Sequence, residues 1–196
     1  MKLILASKSP RRQQLLQGMG LEFEVKQPET DETYPDNLAP GEVAEFIARG
    51  KANAFDPALA RESLLLAADT IVVLEGEILG KPPTREIAIS MLERLSGKTH
   101  EVITGVALRN GESLDSFSAV TLVHFAPLKR SEIAYYVDHY QPYDKAGAYG
   151  IQEWIGYNRI TGISGSYTNV VGLPTEKLYE VLSRRYPWVL LSSGRM

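Results

Sequence analysis

Asn110-Gly111 separates two long runs of strand-forming residues, Thr99 to Leu108 and Ser113 to Phe125. An Asn-Gly pair in that setting is the strongest short-range hairpin signal, because both residues tolerate the positive φ that the tight turn requires. A chain holding such an antiparallel pair cannot be built on a purely parallel sheet. Around it, strand-like and helix-like segments alternate. Leu3-Ile4-Leu5-Ala6 reads as a short buried strand, and Ser9 followed by Pro10 is a helix start with Leu15, Leu16 and Met19 on the apolar face. Phe23 to Lys26 resembles a strand. Pro40 opens a helix carrying Val43, Phe46, Ile47 and Ala54 at helical spacing, and Thr84 to Leu95 is amphipathic through Ile87, Ala88, Met91, Leu92 and Leu95.

The apolar run Leu64 to Ala68 is interrupted by Asp69-Thr70 and resumes over Ile71 to Leu74, after which Glu75-Gly76 turns the chain into Ile78-Leu79. Ser131 to about Tyr140 and the segment after Pro174 are further helices. Asp144 to Gly172 is rich in glycine, aromatic and polar residues, as expected of a site-lining loop region, and Trp188 onwards reads as a tail. The pattern predicts an α/β fold with a mixed β-sheet flanked by helices, one domain over residues 1–188 and a short tail over 189–196.

Composition narrows the function classes. The chain has 196 residues, a formal net charge of −3 and no cysteine. The acidic balance argues against a nucleic-acid-binding module, so any anion site must come from a local cluster of cations. Disulfides, thiolate metal sites and cysteine nucleophiles are excluded, and His100, His124 and His139 lack metal-ligand spacing. The first apolar run is too short for a signal peptide, and no segment approaches a membrane span, so a cytoplasmic enzyme without membrane partners is expected.

Four features carry chemistry. In Ser7-Lys8-Ser9-Pro10-Arg11-Arg12 a strand ends and a helix N-terminus begins, offering backbone N–H groups, two hydroxyls and two guanidinium forks to an anion. A solvated charged turn is the equal alternative from spacing alone. No glycine-rich run ends in Gly-Lys-Ser or Gly-Lys-Thr, so this is not a P-loop. Asp69, set inside an apolar strand, needs a metal, a cation or a hydrogen-bond network to remain charged; a bulge satisfied by backbone N–H groups is the competing reading. Lys51 at the edge of its helix and Lys81 in Gly80-Lys81-Pro82 each suit a surface position when taken singly. Together with Arg12 and the acidic pair Asp31-Glu32, they supply both halves of a metal–triphosphate site. In Asp144 to Gln152, small residues allow close backbone approach to a ligand, and Gln152 offers a donor and an acceptor to a base edge. A glycine-rich corner of the sheet explains that segment equally well.

These same residues resemble the Maf family. Ser7 to Arg12 is similar to its opening Ser-x-Ser-Pro-Arg-Arg signature, Ala68-Asp69-Thr70 to its Ala-Asp-Thr motif and Gly80-Lys81-Pro82 to its lysine-proline turn. Leu95-Ser96-Gly97, Asp144 to Gln152 and Val171 to Pro174 match in order, so the resemblance runs from Leu3 to about Leu182. It implies a nucleoside triphosphate pyrophosphatase with a fold similar to that of inosine triphosphate pyrophosphatases, two lobes around a central cleft, and a divalent cation, Mg²⁺ or Mn²⁺. By the resemblance, Asp69 is the proton acceptor and a metal ligand with Glu32, for which Asp31 is a rival. Ser7, Arg12, Lys51 and Lys81 hold phosphate. Arg11, Thr70 and Gln152 match the branch acting on dTTP and UTP, whereas the 7-methyl-GTP branch favours Trp, Gln and Glu there. Gly50, before Lys51, departs from the larger polar residue expected. Alternatives are a 7-methyl-GTP or modified-pyrimidine pyrophosphatase, or a nucleotide-binding regulator of cell division. A homodimer is compatible with this reading.

Overall fold

A computed structural model of the chain describes residues 1–27, 30 and 32–191. Its sheet has seven strands in the order β2-β1-β3-β5-β6-β7, with β4 paired to β3. The strands are β1 (Lys2–Leu5), β2 (Glu24–Val25), β3 (Ser63–Leu74), β4 (Glu77–Leu79), β5 (Thr99–Asn110), β6 (Ser113–Phe125) and β7 (Ile160–Ser164). β1 is parallel to β2 and to β3, whereas β4 is antiparallel to β3 and β7 to β6. The sheet is therefore mixed, as the hairpin at Asn110-Gly111 requires. The helices are α1 (Pro10–Gly18), α2 (Pro40–Asn53), α3 (Pro57–Glu62), α4 (Arg85–Leu95), α5 (Arg130–Tyr140), α6 (Trp154–Arg159), α7 (Tyr167–Val171), α8 (Thr175–Arg185) and α9 (Pro187–Leu191).

The chain forms two compact units, one of residues 1–69, 104–119 and 172–196, the other of residues 70–103 and 120–171. In the first, β3 explains its own apolar run. Leu64, Leu66 and Ala68 enter a core with Leu16, Leu173, Leu178 and Leu182, while Leu65 and Ala67 enter another with Ala48, Ala52 and Phe55. Alternate side chains thus meet helices on both faces, and a strand covered twice has no polar face to show. Asp69 and Thr70 do not interrupt it: β3 is one strand of 12 residues in which those two are the half-buried pair.

Helix α2 lies unusually close to the sheet. A Cβ on Gly105 would stand 2.2 Å from the Glu45 nitrogen and 2.3 Å from the Ala44 carbonyl carbon, so only glycine fits beneath the helix. The buried stripe is Val43, Ala44, Ile47, Ala48 and Ala52. Phe46, expected on that stripe, is exposed, as is Ala54 just past the helix end. Ile87 likewise faces solvent on α4, which buries Ala88, Leu92 and Leu95 instead.

In the second unit, Val72, Leu74, Leu79, Leu92, Val123, Phe125 and Tyr136 share a third core. The segment expected as loop, Asp144 to Gly172, holds a short 3-10 turn (Ala146–Ala148), α6, β7 and α7. Its glycines serve close packing: Gly147 has φ +67°, and a Cβ there would lie 3.0 Å from the Val72 methyl groups. Val189 and Leu190, expected in a tail, are buried in the core with Leu178 and Leu182. Among the described residues no helix is long and apolar enough to cross a membrane.

Candidate active site

Asp69 follows Leu65 and Ala67 on β3, and the two-residue period turns it to the face that α2 covers. On α2, Lys51 stands three residues after Ala48 and four after Ile47, beside the stripe that seats the helix. The outcome is a direct pair, with Lys51 Nζ 2.8 Å from Asp69 Oδ1. The same ammonium lies 2.7 Å from Glu32 Oε1, so one cation draws two carboxylates together. Lys51 and Asp69 are shielded, at 12% and 13% side-chain exposure, while Glu32 is 47% exposed. Asp31, the rival acid, lies outside the described residues.

Helix α1 builds the other part of this group. The Ser9 hydroxyl accepts from the Arg12 N–H at 3.5 Å, and Pro10 occupies the first turn, where no N–H is needed. Ser7 Oγ is buried and accepts twice, from the Ser9 N–H at 3.2 Å and from Arg12 Nη1 at 3.3 Å. Arg12 Nε donates to the Gly172 carbonyl at 2.9 Å, a contact that no sequence motif announced. Burial pushes the Arg12 guanidinium below its ordinary value; Asp69 opposes that shift, Arg11 adds to it and Glu32 opposes it. Arg11, Arg12, Glu32 and Asp69 therefore share one electrostatic field. The first unit brings together Ser7, Arg12, Glu32, Lys51 and Asp69 as two cations, two carboxylates and a hydroxyl.

Arg11 belongs to the first unit as well, and the second unit carries Thr70, Lys81 and Gln152. Thr70 points to the opposite side of β3 from Asp69. Lys81 is exposed in the turn after β4, where the Gly80 carbonyl accepts from the Gly147 N–H at 3.1 Å. This bond ties the Lys81 turn to the glycine-rich segment that holds Gln152. Gln152 Oε1 is buried without a hydrogen-bond partner among the described residues, a costly state for an amide oxygen. Sequence reasoning missed Tyr136 and Glu153. The Tyr136 hydroxyl bonds both the Glu153 carboxylate and the Gly150 N–H, and the only signal was an acid inside an aromatic, glycine-rich stretch.

A divalent cation would find few protein donors here. Among the described residues no group of three His, Cys, Asp or Glu side chains could hold a metal. Two carboxylates already gathered around one positive charge do suit Mg²⁺, which commonly takes one or two carboxylates and completes its shell with water and phosphate oxygens. The donor set fits a metal that takes two carboxylates and fills its other positions with water or oxygens from outside the protein.

The chain is similar to known proteins over nearly its whole length. The family model described as Maf-like protein matches residues 2–185. A Bacteroides fragilis protein named dTTP/UTP pyrophosphatase is 56% identical over 93% of this chain and 95% of its own length. A Phocaeicola vulgatus protein of the same name is 53% identical over the same shares. Among solved structures, a HAM1 protein from Coxiella burnetii has a TM-score of 0.48 at 16% identity, covering 94% of this chain and 99% of that one.

Proposed function

The chain belongs to the Maf family, and from that premise we propose that it hydrolyses dTTP and UTP to the nucleoside monophosphate and pyrophosphate. The observation that carries this reading is the convergence of Asp69 and Glu32 on Lys51, beside Arg12 and Ser7. Relatives more than 50% identical across nearly the whole chain, bearing the name dTTP/UTP pyrophosphatase, support the choice of substrate.

Asp69 and Glu32 would hold the divalent cation, Mg²⁺ or Mn²⁺. When bound, it supplies positive charge to the phosphate oxygens and makes water easier to deprotonate. Asp69 accepts the proton of the water that attacks the α-phosphorus. Lys51 bridges both carboxylates, offsetting one of their two negative charges, and turns part of its own charge to the phosphate oxygens when substrate is present. Arg12, held by Ser7 and the Gly172 carbonyl, keeps its fork in place for the same oxygens, and Ser7 adds a hydroxyl. Lys81 offsets the charge developing on departing pyrophosphate. Arg11, Thr70 and Gln152 select the base, with the Gln152 amide suited to an edge offering one acceptor and one donor.

A side-by-side assay of dTTP, UTP, CTP and 7-methyl-GTP with Mg²⁺ tests this, read as monophosphate plus pyrophosphate. The expected ranking places dTTP and UTP first, and Asp69→Asn abolishes both activities while remaining folded. A preference for 7-methyl-GTP, or stoichiometric binding without turnover, would overturn it.

A further inference from the structure

Gln152 lies in a turn that is tied on both sides to one buried chain of polar groups. The Glu153 N–H donates to the Gly150 carbonyl at 3.1 Å and closes the backbone around Ile151 and Gln152. The Tyr136 hydroxyl accepts from the Gly150 N–H at 2.9 Å and donates to Glu153 Oε2. Glu153 Oε1 lies 3.1 Å from Lys145 Nζ, which also meets Asp144 Oδ1 at 2.7 Å. The space is full, since a Cβ on Gly150 would stand 2.8 Å from the Glu153 carboxyl carbon.

This chain is expensive as a stabiliser. The Lys145 and Glu153 side chains are only 10% and 19% exposed, and burying such a pair returns little stability compared with apolar packing. Burial and the hydrogen bond to Glu153 both push the Tyr136 phenol well above its ordinary value, so it stays protonated and keeps donating. What the chain does achieve is a fixed backbone before and after Gln152, whose own Oε1 is buried and unsatisfied among the described residues.

We propose that Tyr136, Glu153 and Lys145 are positioning residues for base selection, holding the turn so that the Gln152 amide meets a uracil-type imide edge in one orientation. That edge presents a ring N–H to Oε1 and a carbonyl to the amide N–H₂, while cytosine presents the reverse pattern. A fixed turn penalises the reversed pattern, whereas a loose turn lets the amide turn over to match it. The inference rests on the reading of Gln152 as a base-selecting residue.

Steady-state kinetics of the full chain with UTP, dTTP and CTP test it. Tyr136→Phe removes one oxygen, and Glu153→Leu removes the shared acceptor. Each should raise KM for UTP and dTTP about tenfold, leave kcat within about twofold and lower the preference for UTP over CTP by a similar factor. Glu153→Gln keeps an acceptor for Tyr136 and should restore most of that preference. An unchanged UTP-to-CTP preference in both disruptive variants, or an equal fall in kcat on all three nucleotides, overturns the proposal. If one variant does not fold, the other decides. Gln152→Ala, run in parallel, separates two failures. If it leaves the base ranking intact, the reading of Gln152 is wrong. If it changes the ranking and the disruptive variants do not, only the positioning role is wrong.

Discussion

Replacing Lys51 by methionine keeps most of the side chain's length and removes the charge that Asp69 and Glu32 share. Taking away one partner of a buried ion pair costs about 3–5 kcal/mol, because a charge is left uncompensated. The lower end applies here and must be reduced further, since Glu32 is 47% exposed and can turn to water. The expected loss is about 2–3 kcal/mol, or roughly 4–12 °C in Tm for a chain of this size. Mg²⁺ should change the comparison. In wild type it competes with an ammonium already 2.7 and 2.8 Å from the two carboxylate oxygens, whereas the variant leaves those oxygens to the metal. A ligand at about a hundred times its Kd adds roughly 2.7 kcal/mol. Thermal denaturation with and without MgCl₂, at matched ionic strength, should therefore show a larger magnesium-dependent gain for Lys51→Met than for wild type. Hydrolysis of dTTP stays low in the variant despite its recovered stability. Equal gains in the two proteins would refute the assignment of Asp69 and Glu32 as metal ligands.

Gly105→Ala forces a methyl group into the backbone of α2 and should cost about 3 kcal/mol in urea denaturation, with a parallel loss of activity as Lys51 moves; a change below about 0.5 kcal/mol would contradict the close approach. Burial holds the His100 imidazole down at about 4, and the positive charge of His124 adds to the depression. The unfolded chain takes up that proton near pH 6.5 and the folded chain only near pH 4. The resulting stability is complete above about pH 6.5 and falls by about 3 kcal/mol as pH drops to about 4. A His100 ring resonance titrating near pH 6.5 would contradict this. Arg12→Ala should reduce kcat/KM on every nucleotide by about a hundredfold or more, whereas Arg11→Ala should mainly reorder the bases. Equal losses across the substrate panel would erase that division of labour.

The sequence was most legible where local chemistry decides the backbone. Ser9-Pro10 and the Glu75-Gly76 turn each stand where the turn and cap rules put them, whereas the second hairpin turns one residue later than its Asn-Gly pair suggests: Asn110 ends β5 without a positive φ, and Gly111-Glu112 make the turn with Gly111 at φ +59°. Asp69 was legible too, because a carboxylate in an apolar strand demands a partner, and β-strand parity aims it at α2. What could not be read depends on which faces are covered. Phe46 and Ile87 have helical spacing with core residues yet face solvent, since each helix buries only a narrow stripe, Val43, Ala44, Ile47, Ala48 and Ala52 on α2 and Ala88, Leu92 and Leu95 on α4. The Asp144 to Gly172 segment reads as loop because its glycines and aromatics follow no period; its order comes from tertiary contacts such as Gly147 against Val72 and Tyr136 with Glu153. Gly172 as the acceptor for Arg12 is invisible for the same reason, being a backbone carbonyl 160 residues away.

Hydrolysis of dTTP in water carrying a heavy oxygen isotope, with Mg²⁺ present, identifies the phosphorus that is attacked. Attack on the α-phosphorus by water deprotonated at Asp69 places the label in thymidine monophosphate and leaves pyrophosphate unlabelled. Label in pyrophosphate, or release of the diphosphate with inorganic phosphate, would contradict the proposed chemistry.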